Sequence, residues 1–187
     1  MNPPEKAPAL RAHPLKLTRA ALVLLLLALV APVLAGDDER GPDLGEWQEL
    51  RVPAGNKVSS HVFAEGVQIY RWDGMSWVFV GPEAVLYADA GENGVVGTHY
   101  AGPTWESNSG SKVVGTVEKR VFPDADSIPW LRLKMVSSEG PGIFDRVTYI
   151  QRVNTEGGIA PDEPGDFPGD EARVPYTAEY YFYRAHP

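Results

Sequence analysis

From Glu49 onward no segment of this chain sustains a helical apolar period over three turns. It runs instead in short alternating, β-branched and aromatic segments, cut by glycine, proline, asparagine and aspartate. Alternation with a period of two turns one face of a strand to a core, and frequent turn residues join such strands as hairpins. The pattern predicts an all-β chain with a single antiparallel domain, either a β-sandwich or a partly closed β-barrel. The predicted strands are Glu49–Val52, Val58–Ala64, Val67–Trp72, Met75–Val80, Ala84–Tyr87, Gly97–Ala101, Lys112–Val121, Leu131–Val136, Ile143–Val153 and Pro175–Arg184. Gly66 is expected to mark a bulge. Asp73-Gly74 predicts a two-residue hairpin turn, in which Trp72 faces Met75, Tyr70 faces Trp77 and Gln68 faces Phe79.

The chain contains no cysteine, which removes disulfides, thiol catalysis and thiolate metal sites together. An apolar run from Ala20 to Ala35 follows Lys16 and Arg19 and ends in Val33-Leu34-Ala35, with polar Gly36-Asp37-Asp38 beyond. It is shorter than a membrane span of about 20 residues and is interrupted by Pro32. Residues 1–35 therefore read as a signal peptide, residues 36–48 as a flexible entry and 49–187 as the domain. The expected location is secreted or periplasmic, with no stable membrane association after cleavage. Residues 1–35 hold four of the 17 basic residues and one of the 25 acidic ones, leaving a net charge of −11 on the remainder. Such a chain repels nucleic acid and anionic membrane surfaces. Within the domain, 154–173 is a long acidic loop rich in glycine and proline.

The densest polar-aromatic segment is Gly97 to Ser111, where His99, Tyr100, Trp105 and Glu106 fall within eight residues around a Gly102-Pro103 bend. A flat aromatic beside a carboxylate and a hydroxyl suits a sugar or another small polar ligand. Trp72, Trp77 and Tyr70 are further candidates for the wall of such a site. A histidine with a glutamate could also serve as a general acid–base pair. No metal or cofactor is indicated: His61, His99 and His186 lie on separate segments, and Asp124-Ala125-Asp126 lacks the glycine and distal glutamate of a calcium loop. Ser109-Gly110-Ser111-Lys112 has the Ser-x-x-Lys spacing but sits in a turn between strands, not at a helix start.

Five stretches together carry a family resemblance: Val67–Tyr87, Gly97–Lys112, Ile128-Pro129-Trp130-Leu131, Tyr149–Gly158 and Pro175–Tyr180. The chain resembles an uncharacterised exported family, domain of unknown function 3455, from about Arg51 to Arg184. His99-Tyr100-Ala101-Gly102-Pro103-Thr104-Trp105 is the most specific part. The resemblance implies export and brings no activity, cofactor or site residue.

Three readings follow. The first is a non-catalytic module that binds a small polar ligand or glycan through residues 99–106. The second is a hydrolase using His99 and Glu106. The third is a structural or surface-interaction protein without a pocket. The sequence leaves the oligomeric state open.

Overall fold

The structure, a computed structural model, describes residues 40–186. The signal-peptide reading of 1–35 lies outside the described residues. Eight strands follow in order: β1 (Asn56–Trp72), β2 (Trp77–Tyr87), β3 (Val95–Tyr100), β4 (Thr104–Ser107), β5 (Lys112–Val121), β6 (Trp130–Glu139), β7 (Val147–Gly157) and β8 (Glu171–Ala185). Each pairs antiparallel with the next, and β8 returns to pair with β1, so the sheet closes into a barrel. Closure satisfies the backbone groups that an edge strand would leave exposed. Among the described residues no helix is long and apolar enough to cross a membrane.

Alternation divides the side chains into two clusters. Inside the barrel, Val62, Leu86, Trp105, Leu133, Ile150, Tyr180 and Phe182 belong to the main core. On the outer face, Leu44, Leu50, Val58, Val153, Tyr181 and Tyr183 form a second cluster. The run Tyr180-Tyr181-Phe182-Tyr183 in β8 is therefore buried on both faces. The segment before β1 makes this possible. Leu44, Trp47 and Leu50 recur every three residues, the period of a 3-10 turn, and such a turn forms over Gln48–Leu50. Leu50 is fully buried, and its carbonyl accepts a hydrogen bond from Gln151 Nε2 at 2.7 Å. The strand expected over 49–52 is thus replaced by a plug on the barrel's outer wall.

Four further expectations change. The segments either side of Gly66 form one continuous strand, and Gly66 pairs in regular register with Ala84. It marks a close backbone approach, not a bulge: a Cβ there would lie 2.2 Å from the Glu83 carbonyl oxygen and 2.5 Å from Ala84 Cα. The β1–β2 bulge falls instead between Ile69 and Tyr70. The β1–β2 turn has four residues, Asp73–Ser76, so Trp72 faces Trp77 and Tyr70 faces Phe79. The Asp73 carboxylate explains the longer turn, since it accepts the N–H groups of Met75 and Ser76, each at 2.8 Å. Gly74 alone in this turn has a positive φ, 101°. A shift of two residues preserves face parity, so the expected grouping of side chains survives as far as the bulge. Finally, Thr104–Ser107 forms a strand that the sequence leaves in a loop.

The acidic loop is shorter than expected, because β7 runs to Gly157 and β8 starts at Glu171. It is fastened to the β1–β2 turn. Trp72 N–H donates to the Asp170 carbonyl, and Gly169 N–H donates to the Trp72 carbonyl, both at 2.8 Å. Trp77 Nε1 donates to the Glu163 carbonyl at 2.8 Å.

Gly66→Ala tests the close approach. It should lower the free energy of unfolding by about 2–3 kcal/mol, because the backbone of β2 must move to admit one methyl group. Chemical denaturation of the variant beside wild type measures the loss.

Candidate functional site

The polar-aromatic segment folds as the β3–β4 hairpin. His99 pairs with Trp105, Thr98 with Glu106 and Tyr100 with Thr104. Ala101, Gly102 and Pro103 make the bend, and Gly102 takes a φ of 126° that favours glycine. Because neighbouring side chains alternate across the sheet, the four candidate residues are split between its faces.

His99 and Trp105 point inward, 2 % and 1 % exposed, with their rings stacked at 4.3 Å and 12°. Tyr180 meets both rings edge-on, at 5.1 and 5.3 Å. His99 Nδ1 lies 2.8 Å from the Thr104 carbonyl oxygen, which can only accept, so Nδ1 carries the proton. Burial lowers the His99 pKa to about 3, the Thr104 carbonyl opposes the shift, and the Arg152 charge adds to it. The ring is neutral at physiological pH, and its Nε2 is an acceptor.

Tyr100 and Glu106 lie on the outer face. The Tyr100 hydroxyl donates to Glu106 Oε2 at 2.6 Å, and Lys112 Nζ stands 3.3 Å from the same oxygen. The Tyr100 hydrogen bond, then Lys112, holds the Glu106 carboxyl below its ordinary range. The structure therefore does not bring His99 and Glu106 together. A His–carboxylate contact does occur elsewhere, His61 Nε2 to Glu179 Oε2 at 2.7 Å, where His61 also stacks on Tyr181 of the outer cluster. Trp72 and Trp77 pack against each other at 5.5 Å and clasp the acidic loop; neither lines the cavity described next.

That cavity, about 390 Å³, lies on the inner face of the barrel. His99, Trp105 and Tyr180 line it, with Gln68 and Tyr70 from β1, Arg152 from β7 and aliphatic Leu133 and Ile128. Half-exposed Phe79, Val80 and Val117 mark its opening. Three of its polar atoms have no hydrogen-bond partner among the described residues: Gln68 Nε2, Trp105 Nε1 and Tyr180 Oη. Their side chains are 1–2 % exposed. Burial pushes the Tyr180 phenol up, with the Arg152 charge and then the neighbouring Tyr176 hydroxyl opposing. The Tyr70 hydroxyl, by contrast, donates to the Gly158 carbonyl at 2.7 Å and ties the wall to the start of the acidic loop.

A wider groove of about 710 Å³ runs along the outer face beside the 3-10 turn. Its buried polar groups are already used. Gln151 donates to Leu50, and the Tyr183 hydroxyl donates to Gln151 Oε1. The inner cavity is the stronger candidate, because three buried polar atoms of its lining residues have no partner among the described residues.

Sequence reasoning found His99, Trp105 and Tyr70 of this cavity and missed Gln68, Arg152 and Tyr180. The signal for Arg152 was present: it is a lone cation in Tyr149-Ile150-Gln151-Arg152-Val153, sharing a face with buried Ile150. Asp124, in the stretch that lacks the calcium-loop glycine, serves a turn: it accepts from Asp126 N–H at 2.9 Å and from Ser127 Oγ at 2.8 Å.

The barrel and its lined inner cavity define a closed all-β protein. The chain belongs to the family described as Protein of unknown function (DUF3455), whose model matches residues 53–184. No curated protein and no solved structure matches the chain.

The neutral state of His99 makes stability depend on pH. The unfolded chain protonates this histidine near pH 6.5, while the folded chain resists until about 3. Its contribution is therefore complete above the unfolded value and is lost as pH falls through that window, at a slope of about 1.4 kcal/mol per pH unit. His99→Phe keeps the aromatic stack and removes the titration. Urea denaturation across the window should show a shallower acid loss for the variant, with the carboxylate contribution common to both proteins.

Proposed function

We propose that the protein is a non-catalytic module that takes one small molecule into the mouth of its barrel. Eight-stranded barrels are wide enough either to be filled by side chains or to hold one small ligand. The observation that carries the reading is the inner cavity lined by His99, Trp105, Tyr180, Gln68 and Arg152, three of whose side chains hold a buried polar atom with no partner among the described residues, Gln68 Nε2, Trp105 Nε1 and Tyr180 Oη. Leaving a buried polar group unpaired costs about 1–3 kcal/mol. A ligand with matching donors and acceptors offsets that cost, and Trp105 and Tyr180 supply apolar area around it. Residues 99–106 contribute through His99 and Trp105, not through Tyr100 and Glu106. The volume, about 390 Å³, suits a single compact molecule better than an extended glycan. The separation of His99 from Glu106 removes the pairing on which a hydrolase reading rested.

The test is a panel of sugars and small metabolites screened by thermal shift and native mass spectrometry, on wild type and on two variants that narrow the opening. Val80 and Val117 are 44 % and 41 % exposed, so Val80→Trp and Val117→Trp should leave the fold intact. A ligand should raise the melting temperature of wild type, since it binds the folded state alone. Both variants should lose that shift. Absence of any hit, or hits that survive both variants, overturns the reading.

We also propose that the module works outside the cytoplasm, on the ground of the short apolar run that ends at Ala35. Protein recovered from the native host should have an intact mass that starts at Gly36. Recovery from the membrane fraction with residues 1–35 attached refutes the reading of a cleaved, secreted or periplasmic module.

A further inference from the structure

The cavity has a charge as well as a shape. Arg152 lies in its wall and is 9 % exposed. Its Nε and Nη2 both donate to the Pro129 carbonyl, at 3.1 and 2.9 Å. Among the described residues no carboxylate lies within salt-bridge distance of the guanidinium. Arg120 lines the same cavity, and none of the lining residues is an aspartate or glutamate. This is unusual placement in a chain whose net charge is −8. The acids are elsewhere, and the cavity is lined by cations without one carboxylate.

A buried cation without a counter-charge is destabilising, and each residue type answers it differently. Lysine can shed its proton when buried, whereas arginine stays charged. A single carbonyl oxygen offers a dipole and not a neutralising charge. The compensation that suits a guanidinium is a carboxylate, which meets its planar fork with two parallel hydrogen bonds. Tyr180 Oη and Gln68 Nε2 add neutral donors on the same wall, and donors favour an anion over a cation. Beyond these groups the lining is aromatic and aliphatic, with Trp105, Leu133 and Ile128. Resting on the binding reading above, we propose that the ligand is a small organic carboxylate with an apolar or aromatic body. Arg152 receives the carboxylate, and the body lies among Trp105, Tyr180 and the aliphatic side chains.

The probes are naphthoate and its neutral isostere naphthamide, titrated into the folded protein at neutral pH by isothermal calorimetry. Naphthoate should bind at least about tenfold more tightly than naphthamide. Arg152→Gln keeps an amide donor for the Pro129 carbonyl and removes the charge. It should abolish the preference by weakening naphthoate alone. The wild-type ratio decides the matter even if that variant fails to fold. Equal affinity for the two probes overturns the carboxylate assignment while leaving the barrel mouth as a binding site. Binding of neither probe also overturns the assignment, and the binding reading then stands or falls on the narrowed-mouth variants.

Discussion

The pairing of β1 with β8 runs from Asn56–Ala185 to Arg71–Glu171, the longest ladder in the molecule, and joins segments separated by most of the described chain. Everything else hangs on it. Without this ladder the eight strands are an open meander with two long exposed edges, and Tyr180 does not reach His99 and Trp105. Contacts of such sequence separation carry a high closure entropy and form late relative to local hairpins. The local hairpins β1–β2, β3–β4 and β5–β6 can form first, and the seam then encloses the aromatic core. The plug over Gln48–Leu50 contacts β5 and shares the outer cluster with Val58 of β1, Val153 of β7 and Tyr181 and Tyr183 of β8, so these seam residues are buried on the outer side as well.

Closure also decides which polar groups matter. The interior of a barrel is short of water, so a donor on its inner face either finds a protein partner or awaits one from outside. Tyr70 and Thr155 have protein partners. Gln68 Nε2, Trp105 Nε1 and Tyr180 Oη do not, and their residues line the same cavity as Arg152. The outer face tells the opposite story: Tyr100, Glu106 and Lys112 satisfy each other. A polar cluster in the sequence thus separates into a closed surface network and half of a cavity wall.

The fold was legible because alternation and turn residues are local. The bounds of β5, Lys112–Val121, follow from sequence alone, and the all-β class follows from the same pattern. What escaped depended on groups outside that pattern. The β1–β2 turn lengthened because the Asp73 side chain captured two backbone donors. Gly66 was wanted for space against β2, which no strand pattern reveals. The candidate site was half legible. Residues 97–111 stand out for density of chemistry, yet a period of two sends adjacent residues to opposite sides. Arg152 and Tyr180 are cross-strand partners on consecutive strands β7 and β8, whereas Gln68 comes from β1, and only the closed sheet brings it to them.

His186 N–H donates to the Gly55 carbonyl at 2.7 Å, one step beyond the last pair of the β1–β8 ladder. The two ends of the strand array therefore meet in space, and the ring has no privileged starting point. A chain rewired by a short bridge across this junction, and opened instead in the exposed turn at Gly91–Gly94, would wind through the same barrel in a different order. The architecture belongs to the cycle of neighbours around the barrel, and the place where the polypeptide is cut is incidental to it.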